Sequence, residues 1–282
     1  MTPTLVRQHP SRTGAAPRVD LRARARDWSE IQERMLVPLY EAVYERLDVG
    51  PATRLLGLGC GSGLALLMAA SRGAAVTGVD TSSARLALAR ERLLPDERDA
   101  RSQQDTRIVQ GSPAGAARTG GYTVVTAFEP IGCLAGDAEG LGQLLAEALP
   151  LAGRGAAVVL AGWGPPERCT TSTVLRVAAK LAEPLRGADA WRPTERDDLE
   201  GVAERAGLRP DGSGRVACPF GYADADSAVR GLKSTGLFDP AITATDQVQV
   251  DKELTEALHP YQRADGTVWM PNVFRYLVAR VP

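Results

Sequence analysis

The chain has 282 residues, 44% of them hydrophobic and 24% charged, with a formal net charge of −1. That length suits one large domain, or a domain with a sizeable insertion. The charge balance lacks the basic excess of a nucleic-acid binder and any run of Lys or Arg suited to a membrane surface. No apolar stretch approaches the roughly 18–20 residues that span a bilayer.

The opening residues, "MTPTLVRQHPSRTGAAPRVDLRARAR", carry arginines but no apolar centre. They read as a flexible arm over residues 1–24 and not as a secretory signal. Residues 27–48 read as two short helices: Trp28, Ile31 and Met35 share one face, Pro38 restarts the chain, and Leu39, Val43 and Leu47 continue. From residue 53 strands and helices alternate. "TRLLGLG", "AAVTGVD", "TRIVQG", "YTVVTAFEP" and "GAAVVLAGW" are strands; residues 63–72, the stretch "SSARLALARERLL" with Ser82 or Ser83 at its start, and residues 137–150 are helices. Strands rich in Val, Leu and Ala that alternate with helices imply a parallel sheet covered on both faces.

The second half is less regular. Helices are expected in "TSTVLRVAAKLAEPL" and in "PTERDDLEGVAERAG", the latter with Thr194 as N-cap, Asp197 in its first turn and Gly207 as its stop. "GRVACPF" reads as a sixth strand, residues 223–264 as a mostly helical excursion, and "FRYLVARV" as the last strand. The expectation is a single domain over 25–282. Its core spans 50–165, 192–222 and 267–282, and its cap is drawn from 25–48, 166–191 and 223–266. Cys60, Cys133, Cys169 and Cys218 lack zinc-knuckle or Cys-x-x-Cys spacing and read as reduced thiols of a cytoplasmic protein.

The most informative stretch is "RLLGLGCGSGLALLMAASRGAAVTGVD", with glycines at 57, 59, 61 and 63 and a lone acid at Asp80. A strand that ends in glycines and opens into a helix exposes bare backbone and N–H groups to a ligand. An acid at the end of the next strand can bind both hydroxyls of a ribose. The pair implies an adenosine-containing ligand. The spacing is G-x-G-x-G and not the G-x-G-x-x-G of dinucleotide sites, and no Gly-Lys-Ser marks a triphosphate site.

Here the chain resembles the class I S-adenosylmethionine-dependent methyltransferases, those acting on small molecules. "LLGLGCGSG" (residues 55–63) is similar to their first motif and "VTGVD" to their ribose-binding motif. The resemblance implies a Rossmann-like, doubly wound sheet of seven strands, mostly parallel with an antiparallel last strand, plus helical cap insertions. It implies that Gly59, Cys60, Gly61 and Gly63 line the methionine and ribose, that Asp80 binds the ribose, and that Thr81 flanks the adenine. Ser112 stands where the family often has an acid touching the adenine amine, and Phe128 and Glu129 would face donor and acceptor. The family usually carries an acid at position 57, which helps hold the ammonium end of the cofactor; here it is Gly57. Loss of one charge-assisted hydrogen bond costs about 1.5–3 kcal/mol, roughly ten- to a hundredfold in affinity. The expectation is a working but weaker site for S-adenosylmethionine, with S-adenosylhomocysteine as product.

Methyl transfer needs alignment and exclusion of water more than a strong base. Glu129, directly after the fourth strand, is the first candidate for a base or orienter, and His259 in "LTEALHPYQ" the second; His9 lies in the arm. Tyr40, Tyr44 and Trp163 are candidates for pocket or core. In the cap Trp191, Phe220, Tyr222, Leu237, Phe238 and Tyr261 suit a small or medium organic acceptor. No metal, nucleic-acid or membrane partner is expected, and a homodimer is left open. Two rivals stand beside methyl transfer: a non-catalytic protein of the same fold, and a nucleotide-dependent oxidoreductase.

Overall fold

The computed structural model describes residues 20–94, 105–182 and 195–282. The arm up to residue 19 with His9, and both Trp191 and Thr194, lie outside the described residues.

The chain opens with helix α1 (Leu21–Asp27), a π-helical turn Trp28–Gln32 and a 3₁₀ turn Glu33–Leu36, then α2 (Val37–Arg46). Pro38 sits in the first turn of α2, where its missing N–H costs nothing. Five strands alternate with four helices: β1 (Arg54–Leu58), α3 (Leu64–Ala70), β2 (Ala75–Asp80), α4 (Ser83–Leu93), β3 (Thr106–Gln110) followed directly by β4 (Tyr122–Ile131) after a 3₁₀ turn, α5 (Asp137–Ala148), β5 (Ala152–Trp163) and α6 (Thr171–Ala182). Then come α7 (Asp198–Arg205), β6 (Arg209–Ala217), β7 (Phe220–Tyr222), α8 (Ala225–Ser234), α9 (Asp239–Ala244), α10 (Gln247–Leu258), β8 (Val268–Met270) and β9 (Val273–Arg280).

Seven strands form one sheet in the order β3-β2-β1-β4-β5-β9-β6. β1 to β5 pair in parallel, and β9 runs antiparallel to both its neighbours. The fold class read from the sequence is thus the one observed. Successive strand residues face opposite layers. Leu55, Val124 and Val159 join the layer built from α2, α3 and the cap helices α6, α8, α9 and α10, while Leu56, Val125 and Leu160 join the layer built from α5 and α7. Among the described residues no helix is long and apolar enough to cross a membrane.

Three expectations are corrected. The arm ends before residue 24, because the Asp20 carboxylate accepts from the amides of Arg22 (2.9 Å) and Ala23 (3.1 Å) and starts α1 at Leu21. Arg24 then grips Asp239 of α9 with both guanidinium nitrogens, at 2.8 and 3.0 Å. The sixth strand covers Arg209–Ala217, not 214–220; Phe220 instead opens β7, which pairs with β8 as a separate two-stranded ladder. That ladder closes the base of the helical excursion, with Phe220 opposite Met270 and Tyr222 opposite Val268. Asp197 precedes the first residue of α7 as its N-cap position, and Gly207, with φ +71°, ends that helix as expected.

Two central glycines fit the core for a packing reason. Gly57 of β1 stands opposite Gly78 of β2. A Cβ at 57 would meet Leu66 Cδ2 at 2.9 Å, and one at 78 would meet Cys60 Sγ at 2.8 Å and crowd Leu66 as well. Leu66 of α3 is 1% exposed and fills the space over both glycines. Overpacking such a site costs about 1–3 kcal/mol. Gly78→Val is therefore expected to destabilise the protein by about that amount in urea unfolding. Combined with Leu66→Ala it should cost less than the sum of the two single changes, since one vacates the space the other needs.

Candidate functional site

The chain leaves β1 at Leu58 and turns into α3 over five residues. Gly59 (φ +60°), Gly61 (φ +57°) and Gly63 (φ +82°) are all left-handed, a conformation open to glycine at little cost. The Cys60 amide donates to Val79 O (3.0 Å). The Gly61 amide donates to Asp80 Oδ2 (2.9 Å), and the Ser82 amide to Asp80 Oδ1 (2.8 Å). A carboxylate offers about four acceptor sites, so Asp80, buried at the end of β2, keeps capacity for a further donor on each oxygen. Gly63 serves a different purpose: a Cβ there would press on Ala89 and Leu93 of α4, each at 3.1 Å.

The N-terminal segment lies across this loop. Glu33, 2% exposed, accepts from Ser62 Oγ (2.5 Å), from Arg92 Nη1 (2.7 Å) and from the Leu64 amide (3.3 Å). Arg92 also donates to Ser62 O (2.9 Å) and Ser29 Oγ (2.9 Å). Trp28 rests over Gly61, where a Cβ would lie 2.9 Å from its Nε1. The guanidinium of Arg85 covers the indole at 4.3 Å from the ring centre. The Trp28 Nε1–H is buried and has no hydrogen-bond partner among the described residues, a rare state for a buried donor.

Two cavities open here. The first, about 480 Å³ counted out to its mouth, runs along Gly57 to Gly61 and is closed by Trp28, Glu33, Tyr40, Arg85 and Phe128. The second, about 590 Å³ on the same count, is walled by Trp163, Phe220 and Phe274 with leucines of the cap. Trp28, Leu36 and Glu129 line both. Glu129 follows Phe128 near the end of β4, lines both cavities and is exposed to solvent, so the effect of its partial desolvation is screened. Loss of hydration raises its carboxyl pKa above the usual range; Arg85 opposes that rise and Asp80 adds to it. Burial, with Asp80 and Glu33 nearby, pushes the Cys60 thiol up to about 12, so it lines the site as a neutral group.

The structure gathers most of the residues singled out from the sequence. Gly59, Cys60, Gly61, Phe128 and Glu129 line the first cavity, Asp80 anchors its floor, and Trp163, Phe220 and Leu237 line the second. Tyr40 joins the first cavity, whereas Tyr44 is core, its hydroxyl donating to Ala65 O (2.8 Å). Tyr222 and Phe238 are also core. Tyr261 lines neither cavity.

Thr81 follows Asp80 but is exposed and lines neither cavity. The Ser112 hydroxyl donates to Glu147 of α5 and accepts from the Ala114 amide, so it caps a 3₁₀ turn and lines neither cavity. His259 stands apart from the two cavities. It starts an exposed 3₁₀ turn after α10 and lines neither cavity, because α10 buries the opposite face through Val250, Leu254 and Leu258. Glu33, Arg85, Arg92 and the role of Trp28 were missed. The one available signal was the apolar face of Trp28, Ile31 and Met35, which placed this segment against the core but not on the loop.

Residues 56–115 match the family model described as a methyltransferase domain. The chain also superposes over most of its length on solved methyltransferase structures. This is the methyltransferase fold. The protein YjhP from E. coli superposes with a TM-score of 0.54 at 20% identity, covering 92% of this chain and 99% of that one. A methyltransferase from Geobacter sulfurreducens, described as S-adenosylmethionine-dependent and solved with S-adenosylhomocysteine, gives 0.51 at 19% identity over 92% and 98%. A methyltransferase-like protein from Bacillus halodurans gives 0.53 at 15% over 86% and 98%. No curated protein matches the chain. The methyltransferase match begins inside the glycine motif and runs past β3, so it covers the loop and Asp80.

Two outcomes follow from the charges in this site. Removing Arg92 while keeping Glu33 leaves a buried carboxylate without its counter-ion, a change that costs about 3 kcal/mol or more. Arg92→Met should lower the urea midpoint accordingly, and adding Glu33→Gln should restore much of the loss. For Glu129 the folded-state pKa lies above the unfolded one, so its contribution is fully present below the unfolded value and lost as pH rises through the folded value. Stability of Glu129→Gln relative to wild type should therefore improve as pH rises from 4 to 8, read from unfolding curves across that range.

Proposed function

We propose that the protein is an S-adenosylmethionine-dependent methyltransferase acting on a small organic acceptor. The observation that carries this reading is the abutment of two cavities across Glu129. One is floored by bare, left-handed glycine backbone held to the Asp80 carboxylate, and the other is walled by aromatic and aliphatic side chains.

The residues fit the cofactor chemically. Asp80 has free acceptor capacity for ribose hydroxyls, and the loop from Gly59 to Gly61 carries no side chain larger than Cys60. The orphaned Nε1–H of Trp28 supplies a donor that needs an oxygen. When bound, the cofactor supplies an already activated methyl group. The protein then has to bind, orient and keep water out. Trp28 and Leu36 form the wall shared by the two cavities, and Glu129 holds an acceptor proton or orients the acceptor where they meet. Its raised pKa brings it closer to neutrality, where a general base works best.

A non-catalytic protein of this fold is the second reading. What favours it is the closeness of Trp28 and Glu33 to Gly61, which narrows the floor of the first cavity. Calorimetry separates the two. The wild-type protein is expected to bind S-adenosylhomocysteine, Asp80→Asn to bind at least about tenfold more weakly, and Gly61→Val to show no binding. A wild-type protein silent at millimolar ligand would overturn the cofactor reading. A thermal shift with NAD or NADP alone would favour an oxidoreductase instead.

A further inference from the structure

The second cavity has one-sided chemistry. Three aromatic rings cluster on its wall: Trp163 lies 4.7 Å from Phe274 and 6.1 Å from Phe220, centre to centre. Several of its polar wall groups are already committed: Gln32 Oε1 accepts from the Tyr222 hydroxyl (2.9 Å), the Thr235 hydroxyl donates to Leu232 O (2.6 Å), and that of Thr171 to the Met270 sulfur (3.8 Å). The Trp28 Nε1–H is a neutral donor without a partner among the described residues. Glu129 brings the charge. No described residue donates a hydrogen bond to its carboxylate, and it is the only charged side chain among the described residues lining this cavity. No Lys, Arg or His lines it among those residues; Arg85 belongs to the first cavity alone.

An anionic acceptor would enter such a space with no Lys, Arg or His on its described wall and a carboxylate beside it, which disfavours it. A cation would meet the reverse: a carboxylate that accepts no hydrogen bond from a described residue, with Arg85 the nearby opposing charge, beside an aromatic wall. We propose that the acceptor is an apolar or aromatic amine, held as its ammonium by Glu129 with its hydrocarbon part against Trp163, Phe220 and Phe274, and methylated on nitrogen. This rests on the methyl-transfer reading given above.

The position of Glu129 supports it. A nitrogen bound to that carboxylate lies where the two cavities meet, so the group that selects the acceptor also places the nucleophile at the boundary. The step balances. The ammonium gives one proton to the Glu129 carboxylate, which frees the nitrogen lone pair. The N–C bond forms as the C–S bond breaks, and the sulfur keeps the bonding pair and becomes a neutral thioether. The product is the N-methylated amine, carrying the positive charge that left the sulfonium. Desolvation of the ammonium in an apolar cavity lowers its pKa and eases the proton transfer.

The test uses the full chain and three matched probes: 2-phenylethylamine, 2-phenylethanol and 3-phenylpropanoate. S-adenosylhomocysteine is titrated first by calorimetry, and each probe is then titrated with and without it. The amine should bind at least tenfold more tightly than the alcohol, and the carboxylate at least tenfold more weakly. In Glu129→Gln, with its fold checked by circular dichroism, the amine should fall to the level of the alcohol while the alcohol holds within about twofold. Mass spectrometry of wild-type protein with S-adenosylmethionine should show the amine gain one methyl group. Equal binding of amine and carboxylate, no amine binding at millimolar concentration, or an amine preference that survives Glu129→Gln would overturn the proposal. The wild-type comparison stands even if the variant fails to fold. If the homocysteine ligand binds and the amine does not, this proposal falls and the cofactor reading stands; if the amine preference appears without homocysteine binding, the methyl-transfer reading falls and the cation site remains.

Discussion

A loop made of glycines cannot hold its own shape, and here two carboxylates hold it. Asp80 grips the Gly61 amide from the end of the neighbouring strand, and Glu33 grips Ser62 and the Leu64 amide from the N-terminal segment. The loop gains a fixed path without side chains of its own, which leaves its surface bare for a ligand. Buried carboxylates are costly unless compensated. Arg92 compensates Glu33, and backbone amides compensate Asp80. The result ties three distant stretches of chain, residues 29–33, 61–64 and 92, into one unit.

The N-terminal segment also explains position 57. A carboxylate there would compete with Leu66 for the space above the β1–β2 pair. In this chain that space is apolar, and the carboxylates that line the first cavity are those of Glu33 and Glu129. The glycine at 57 is therefore matched to its surroundings as a packing residue. The fold alone does not fix the chemistry; what narrows it is the particular set of side chains brought over the loop.

The sheet was legible because its evidence is local. Buried parallel strands read as unbroken runs of Val, Leu and Ala, and the glycine motif with Asp80 spans only β1, α3 and β2. β6 was legible only in part. "RPDGSGRVA" carries Pro210, Gly212 and Gly214, residues that signal turns. As an edge strand it tolerates them: Tyr276, its partner on β9, covers the bare backbone at Gly214. The partners of the site were harder to see. Arg85, Arg92 and Glu33 look like ordinary helix-surface charges, and their meeting depends on how α4 and the N-terminal turns pack. His259 looked promising for the opposite reason, since a lone histidine draws attention wherever it lies. The burial of α10 through Val250, Leu254 and Leu258 turns it outward.

The β7–β8 ladder has a consequence for how such a protein can change. Everything between Tyr222 and Val268 leaves the sheet and returns to it through one pair of short, bonded strands. Its helices can be lengthened, shortened or exchanged without altering the order in which the seven main strands meet. The ladder acts as a collar, one short bonded neck between the seven-stranded sheet and the helical hood packed over it.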